Sequence, residues 1–210
     1  MSKDHAPTSD GPADLRRHLV SQRGRIFDAM AHAVARKGYS ATAVADVLDE
    51  CGMSRRTFYR HFPNKEECFL ATYDFAVQHV GDHVAMAFLT AGPDWDTRIR
   101  SAFETFMAYV VAEPEFARLC LVDVLGAGPR ALERRDAAVR RFSAFIGEAA
   151  HAAPGQPLVP PALPEAIVGG VQTVISSRLL NGRAGELPEL VDDLLFWGMA
   201  PFGGVTITAE

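Results

Sequence analysis

The chain has 210 residues, 48% of them hydrophobic and 22% charged, with a formal net charge of −5 at pH 7. These values are typical of a globular protein with a sizeable core. No stretch approaches the roughly 20 apolar residues of a membrane span, and the first residues lack the pattern of a signal peptide, so we expect a cytoplasmic protein. The three cysteines are odd in number and scattered, which argues against a disulfide framework.

The first third of the chain is predicted to fold into short helices. Residues 21–37 have the apolar spacing of a helix that ends at Gly38. Thr42 is a suitable N-cap for a second helix, which ends where Gly52 begins a tight turn. Ser54 then caps a third helix.

The remainder of the chain is also predicted to be helical, so the expected fold class is all-α. Asn64 and Glu67 resemble a capping box for a long fourth helix that continues to about Leu89. Later prolines divide the sequence into segments of helical length, the last two at residues 165–181 and 188–202. Only the terminal "GGVTITAE" has the pattern of a strand, and "AAPGQPLVPPALP" is predicted to be a loop.

The segment "SRRTFYRHFPNK" (residues 54–65) is rich in basic and aromatic side chains and contains no acid. Two short helices joined by a turn, the second opening with arginines, form the pattern of a helix-turn-helix. Phe58 and Phe62 would face the second helix, leaving the basic side chains outside, where they suit phosphates and base edges. The alternative is an ordinary solvated basic face. A second basic stretch without acids, "LRRHLVSQRGRIF", contributes Arg16, Arg17, Arg23 and Arg25.

The stretch "TAVADVLDECGMSRRTFYRHFPNKEECF" (residues 42–69) resembles the DNA-binding signature of the TetR family of bacterial repressors. The matching positions are Thr42, Val47, Gly52, Met53, Ser54, Thr57, Phe58, Tyr59, His61, Phe62, Lys65 and Glu66. The sequence departs from the signature at Leu48 and Cys51, where the family usually has alanine, and at Cys68, where leucine is usual. The resemblance implies an all-helical dimer with a three-helix DNA-binding domain and a larger helical domain that binds a small molecule.

We expect three parts: a flexible basic arm (1–18), a helix-turn-helix domain (19–64) and an effector-binding and dimerisation domain (65–210). Arg55 and Arg56 stand where the family varies, so we expect them to select the operator, while His61 and Lys65 would bind DNA of any sequence. The residues expected to contact DNA are Thr42, Ser54, Arg55, Arg56, Thr57, Tyr59, Arg60, His61 and Lys65.

The last two predicted helices are candidates for a dimer interface. The first combines small with branched apolar residues, so that a partner backbone could approach closely, and the second is apolar on more than one side. The expected interface residues are Ile167, Gly170, Val171, Val174, Leu190, Leu194 and Trp197. The alternative is that both helices only close the core of the monomer.

An apolar pocket for a lipophilic or aromatic effector is expected between the middle helices. Its candidate residues are Phe103, Phe106, Met107, Val110, Phe142 and Phe145, although the same spacing fits an ordinary core. His79 and His83, one helical turn apart, have the spacing of a metal-binding pair or of surface and pocket-edge histidines. No metal or cofactor is predicted, because no further ligand converges on the pair. Cys120 is either a buried small hydrophobe or a redox-sensing thiol.

These observations favour a transcriptional repressor that binds a palindromic operator as a homodimer and is released by a small, lipophilic molecule. Two alternatives are a DNA-binding dimer without an effector and a small helical enzyme. The enzyme has no positive support, because no nucleophile–base–acid set, phosphate-binding glycine loop or paired metal motif is present. No membrane partner is expected.

Overall fold

The computed structural model describes residues 21–151 and 160–200, and within these ranges the chain is helical and contains no strand. The predicted basic arm and the terminal "GGVTITAE" lie outside the described residues. The α-helices are α1 (Gln22–Ala41), α2 (Val44–Cys51), α3 (Arg55–His61), α4 (Lys65–Thr90), α5 (Trp95–Ala112), α6 (Pro114–Leu121), α7 (Pro129–His151), α8 (Leu163–Leu180) and α9 (Val191–Met199). Two 3-10 segments, Asp123–Gly126 and Ala184–Leu190, separate α6 from α7 and α8 from α9.

The start of α2 differs from the prediction. The N-cap is Ala43, whose N–H donates to the Asp46 carboxylate at 2.7 Å, so the expectation that Thr42 caps this helix is wrong. Thr42 is buried, and its hydroxyl donates to the carbonyl oxygen of Gly38 at 2.8 Å. Gly38, with φ 77°, interrupts the regular helix where an end was predicted, and one more turn brings α1 to Ala41.

Helices α1 to α3 form the predicted helix-turn-helix unit. Gly52 makes the turn with φ 64°, and the Ser54 hydroxyl accepts a hydrogen bond from the Thr57 N–H at 3.1 Å. Phe58 is fully buried and Phe62 nearly so, their ring centroids 5.9 Å apart. One face of α3 is therefore fixed in the core while the other faces outward.

Helix α4 joins this unit to the larger helical part of the protein. The Asn64 side-chain oxygen accepts from the Glu67 N–H at 2.8 Å, and the helix ends one residue beyond the predicted end. Its 26 residues make it about 39 Å long at 1.5 Å per residue. Phe69 near its start and Val84 near its end are both buried, so α4 contributes to the core along most of its length.

The last helix begins later than predicted. Ala184–Leu190, which includes Pro188, is a 3-10 segment, and the α-helix starts at Val191 rather than at residue 188. In the part of the chain that the structure describes, no helix is long and apolar enough to cross a membrane.

Candidate functional site

The outward side of α3 displays Arg55, Arg56, Tyr59 and Arg60, all exposed. Arg55 and Arg56 form no hydrogen bond or ion pair with the described residues, so both guanidinium groups are available to an external partner. Tyr59 is 50% exposed, and its ring packs edge-on against that of Phe58, the core residue that anchors the helix. A rigid helix thus presents two arginines and a phenol to solvent.

Gln22, at the start of α1, orients two more of the predicted DNA-binding side chains. Its side-chain oxygen accepts a hydrogen bond from Arg60 at 2.8 Å and lies 3.4 Å from His61 Nε2. Gln22 precedes Arg60 by 38 positions and His61 by 39, so no local sequence pattern reveals these contacts. Ser54 and Thr57, whose hydroxyls lie 3.1 Å apart, are placed at the start of α3.

Thr42 and Lys65 have intramolecular roles that the sequence analysis missed. Thr42 is only 2% exposed, so its side chain does not reach the outer surface, contrary to the expectation that it contacts DNA. Lys65 Nζ donates to the carbonyl oxygens of Tyr39 at 2.9 Å and Thr42 at 2.8 Å, and lies 4.1 Å from the centroid of the Tyr39 ring. Partial desolvation lowers the Lys65 pKa. Lys65 therefore ties the start of α4 to the end of α1, with one hydrogen left for another acceptor.

The arginines of the second basic stretch that fall within the described residues support the helix-turn-helix core. Arg25 donates to the carbonyl oxygen of Cys51 at 2.6 Å, which satisfies the C-terminal end of α2. The Arg23 guanidinium lies 5.4 Å from the Phe27 ring centroid and 5.5 Å from that of Phe62. Arg16 and Arg17 lie outside the described residues.

A cavity of about 190 Å³ lies inside the larger helical part, between α4, α5, α6, α7, α8 and α9. Five of the six predicted pocket residues line it: Phe103, Phe106, Val110, Phe142 and Phe145. Met107 does not; it is 2% exposed and packs in a separate cluster with Ile175 and Leu187. Met107 lies on the flank of α5 that meets α8, and helical spacing alone does not distinguish neighbouring flanks.

The cavity walls are almost entirely apolar. No Asp, Glu, Lys, Arg or His is among the described residues that line them; the polar groups come from Tyr73, Tyr109, Trp95, Cys120 and Gln172. Tyr109 is 7% exposed, its hydroxyl has no hydrogen-bond partner among the described residues, and burial raises its pKa. Burial also raises the pKa of the Cys120 thiol to about 12, which makes a reactive thiolate unfavourable at neutral pH.

The predicted histidine pair lies beside the cavity. The ring centroids of His79 and His83 are 4.3 Å apart, and His83 Nδ1 lies 2.8 Å from the His79 carbonyl oxygen. His79 is 8% exposed, and its ring centroid is 5.9 Å from that of Tyr109. Among the residues with described positions, no three His, Cys, Asp or Glu side chains form a group suited to a metal ion.

The predicted dimer residues divide into two sets. The first set packs inside the monomer: the cavity is lined by Ile167, Val171 and Leu194, and Leu190 packs against the cluster around Ile175. This packing gives no support to their expected place in a dimer interface. Trp197, by contrast, is 50% exposed, and the adjacent Phe196 is 39% exposed. Trp197 packs directly on Gly170, where a Cβ atom would lie 2.5 Å from the indole ring.

The sequence model described as "Bacterial regulatory proteins, tetR family" matches residues 26–72, which cover most of α1, all of α2 and α3, and the start of α4. This part of the chain is therefore similar to the DNA-binding region of TetR family regulators. The predicted resemblance is thereby confirmed over the helix-turn-helix unit.

Curated relatives match part of the chain. The HTH-type transcriptional activator FasR of Mycolicibacterium smegmatis is 29% identical over 98 residues, which cover 47% of this chain and 44% of that protein. An uncharacterised HTH-type regulator of Lactococcus lactis is 30% identical over 73 residues, which cover 35% of this chain and 37% of that protein. The chain thus spans less than half the length of these curated relatives.

Solved structures extend the similarity in fold to nearly the whole chain. A TetR family regulator from Marinobacter aquaeolei is 22% identical, with a TM-score of 0.69, over 89% of this chain and 97% of that one. The regulator FadR of Bacillus subtilis, solved in complex with stearoyl-CoA, is 12% identical, with a TM-score of 0.73, over 87% of this chain and 98% of that one. At these identities the likeness shows a shared fold.

Proposed function

We propose that this protein is a transcriptional regulator that binds a palindromic DNA site as a two-fold dimer and changes its DNA affinity when a small lipophilic molecule enters the cavity. The observation that carries the proposal is the outward face of α3, where Arg55 and Arg56 have no partner among the described residues. Because Phe58 fixes the opposite face in the core, the two guanidinium groups are presented from a rigid support.

The chemistry of this face suits double-stranded DNA. Arginine donates two parallel hydrogen bonds to guanine edges or to phosphates, and the Tyr59 hydroxyl can bind a phosphate oxygen. The net charge of −5 makes general attraction of the whole chain to DNA weak, so binding depends on this local basic surface. Each chain carries one helix-turn-helix, so a two-fold dimer would place two α3 helices in major grooves about 34–36 Å apart.

The exposed aromatic surface of α9 supports a dimer. Trp197 lies against Gly170 of α8, and the adjacent Phe196 is also exposed. Large exposed aromatic side chains are typical of a protein interface. We place the interface on this surface, with Gly170, Val174 and Trp197 at its centre.

The cavity supports an effector over the alternative of a dimer without one. It lies between six helices and is lined by apolar side chains, as expected for a lipophilic ligand. FadR, which shares the fold, was solved with stearoyl-CoA. One similar protein, FasR, is an activator. A reporter gene assay distinguishes repression, which we propose, from activation.

Helix α4 offers a route from the cavity to the DNA. Tyr73 and Val84 of α4 line the cavity, and Lys65 at its start holds the end of α1. Arg130 of α7 pairs with Glu67 of α4 at 2.5 Å, so a second cavity wall also contacts the start of this helix. A ligand that binds better to one tilt of α4 must change the affinity of the protein for DNA. By linkage, bound DNA changes the affinity of the protein for the ligand by the same factor.

The proposal is tested by footprinting on the DNA that flanks the gene of this protein. We expect protection with dyad symmetry, and its loss when Arg55 and Arg56 are both replaced by alanine. Arg140→Ala, which removes an exposed arginine of α7, is the matched control and should leave binding unchanged. Protection without dyad symmetry, or a monomer at micromolar concentration by light scattering, would contradict the proposal.

A further inference from the structure

Two acidic side chains stand at the start of α4, next to the surface proposed to contact DNA. Glu66 and Glu67 belong to the first turn of this helix and directly follow Lys65. Acids are favourable there for folding, because the N-terminal end of a helix carries a partial positive charge. For DNA binding they are unfavourable, because their carboxylates repel the phosphates that flank α3 in its groove.

The ammonium group of Lys65 is not directed at these carboxylates. It donates to the carbonyl oxygens of Tyr39 and Thr42, and among the described residues it forms no ion pair with either glutamate. A helix rises by about 1.5 Å per residue, so the backbone of both acids lies within about 3 Å of Lys65 along the axis. The Debye length at physiological ionic strength is about 8 Å, so a phosphate near Lys65 would be repelled by both acids.

Arg130, at the start of α7, provides a positive charge at this place. Its guanidinium Nη1 lies 2.5 Å from Glu67 Oε1 and 3.5 Å from Glu66 Oε2. The three side chains are partly exposed, Arg130 by 47%, Glu66 by 38% and Glu67 by 36%. An ion pair at the surface contributes little to folding stability. Its effect on a nearby polyanion is larger, because the interactions with several phosphates add up.

We propose that Arg130 is a determinant of DNA affinity that acts from outside the helix-turn-helix, by balancing the charges of Glu66 and Glu67 beside the DNA backbone. The inference rests on the proposed function for the binding of DNA, but it requires neither an effector nor dyad symmetry. Helix α7 also lines the cavity through Phe142. One helix therefore carries both a residue of the cavity wall and a residue that sets the charge beside the DNA.

The test measures the dissociation constant of the full-length protein for a duplex of the DNA that flanks its gene, by fluorescence anisotropy. Arg130→Ala should raise this constant by roughly three- to tenfold at about 0.1 M salt. The increase should be larger at about 0.01 M salt, where the Debye length is about 30 Å instead of about 10 Å. Arg130→Lys keeps the charge and should recover most of the affinity.

The opposite change of charge tests whether charge or the ion pair itself matters. Glu67→Gln breaks the closer contact with Arg130 but removes a negative charge, so it should lower the dissociation constant by a similar factor. If the pair acted only by holding α4 to α7, both single variants would weaken binding. Arg130→Ala combined with Glu67→Gln has the net charge of the wild type, and its dissociation constant should lie within about twofold of the wild-type value.

Arg134→Ala is the matched control, because it removes the same charge from the same helix. Arg134 pairs with Asp74, which follows Glu67 by seven residues and so lies about 10 Å further along α4, away from α3. Its replacement should change the dissociation constant by less than about twofold. Urea denaturation should give nearly the same midpoint for the wild type and all variants, since the ion pairs are exposed.

Three results would overturn the inference and leave the proposed function intact. They are wild-type affinity for DNA in Arg130→Ala, weaker DNA binding in Glu67→Gln, and equal losses of affinity in Arg130→Ala and Arg134→Ala. If the wild-type protein does not bind DNA at all, the proposed function fails and this inference fails with it.

Discussion

The ring of Phe27 in α1 stacks on the ring of Phe75 in α4, with centroids 5.1 Å apart and planes inclined at 29°. Each ring also contacts another: Phe27 lies 5.8 Å from Phe62, which follows α3, and Phe75 lies 6.4 Å from Phe116, which lines the cavity. Four aromatic rings thus form a continuous path from the cavity wall to the helix-turn-helix. Packed side chains of this kind can transmit a shift of one element to another.

We expect Phe75→Leu to reduce the coupling between effector and DNA. Leucine keeps an apolar contact but loses the stacking on Phe27, so movement of Phe116 would be transmitted less completely. The coupling free energy between effector and DNA should fall by about 0.5–2 kcal/mol. The affinity for DNA without the effector should stay nearly unchanged. Phe88→Leu is the control, because Phe88 contacts Phe145 near the other end of α4. Equal losses in both variants would refute this route.

Arg55→Ala and Arg56→Ala should change which bases are tolerated in the half-site. A specific contact to a base edge contributes about 1–3 kcal/mol of discrimination. His61→Ala should instead weaken binding to all sequences alike, since His61 is partly buried and held near Gln22. Selection from a randomised half-site measures both effects. A changed base preference in His61→Ala, with both arginine variants unaltered, would reverse these assignments.

Lys65→Ala should lower the free energy of unfolding by about 1–3 kcal/mol, because the carbonyls of Tyr39 and Thr42 lose a charged donor. Urea denaturation measures the change. Lys37→Ala is the control: its ion pair with Asp46 is exposed, so its loss should cost less than about 1 kcal/mol. Equal stability of the two variants would show that Lys65 does not hold α1 to α4.

Asp46 should make a pH-dependent contribution to stability. Hydrogen bonds from the Lys37 ammonium and the Ala43 N–H hold the pKa of its carboxyl below the ordinary value. A carboxyl with a lower pKa in the folded state stabilises the protein above the unfolded pKa of about 4 and loses this effect as pH falls through the folded pKa. The difference in unfolding free energy between the wild type and Asp46→Asn should therefore be largest near neutrality and shrink in acid.

Asp49→Asn provides the comparison for this pH series. Asp49 is exposed on the same helix and forms no ion pair among the described residues. Its replacement should alter stability little at any pH in the series. A difference for Asp46→Asn that stayed constant between neutral and acid pH would contradict the role given to its carboxylate.

The local features of the fold could be predicted from the sequence, since caps and apolar spacing act over a few residues. Ser54 and Asn64 cap their helices as expected. The contacts of Lys65 and Thr42 could not be predicted from the sequence. They join residues of different elements, which meet only when α1, α2 and α4 pack together. Ile167 was assigned to an interface because its apolar pattern fits any buried face, and only the packed structure shows that it faces the cavity.

The contact between Gly170 and Trp197 leads to a prediction about dimerisation. In Gly170→Ala the new methyl group would lie 2.5 Å from the indole, so the Trp197 side chain must move. If Trp197 is at the centre of the interface, its displacement should raise the dimer dissociation constant at least about tenfold, as expected for an aromatic anchor.

Gly169→Ala separates this displacement from the effect of alanine on the helix itself. A Cβ atom at Gly169 meets nothing within 4 Å among the described residues, so this variant should gain about 0.5–1 kcal/mol from helix propensity. Sedimentation equilibrium measures the dissociation constant, and fluorescence of the two tryptophans, Trp95 and Trp197, reports whether the indole has moved. A shifted emission spectrum in Gly170→Ala with an unchanged dissociation constant would place the dimer interface elsewhere.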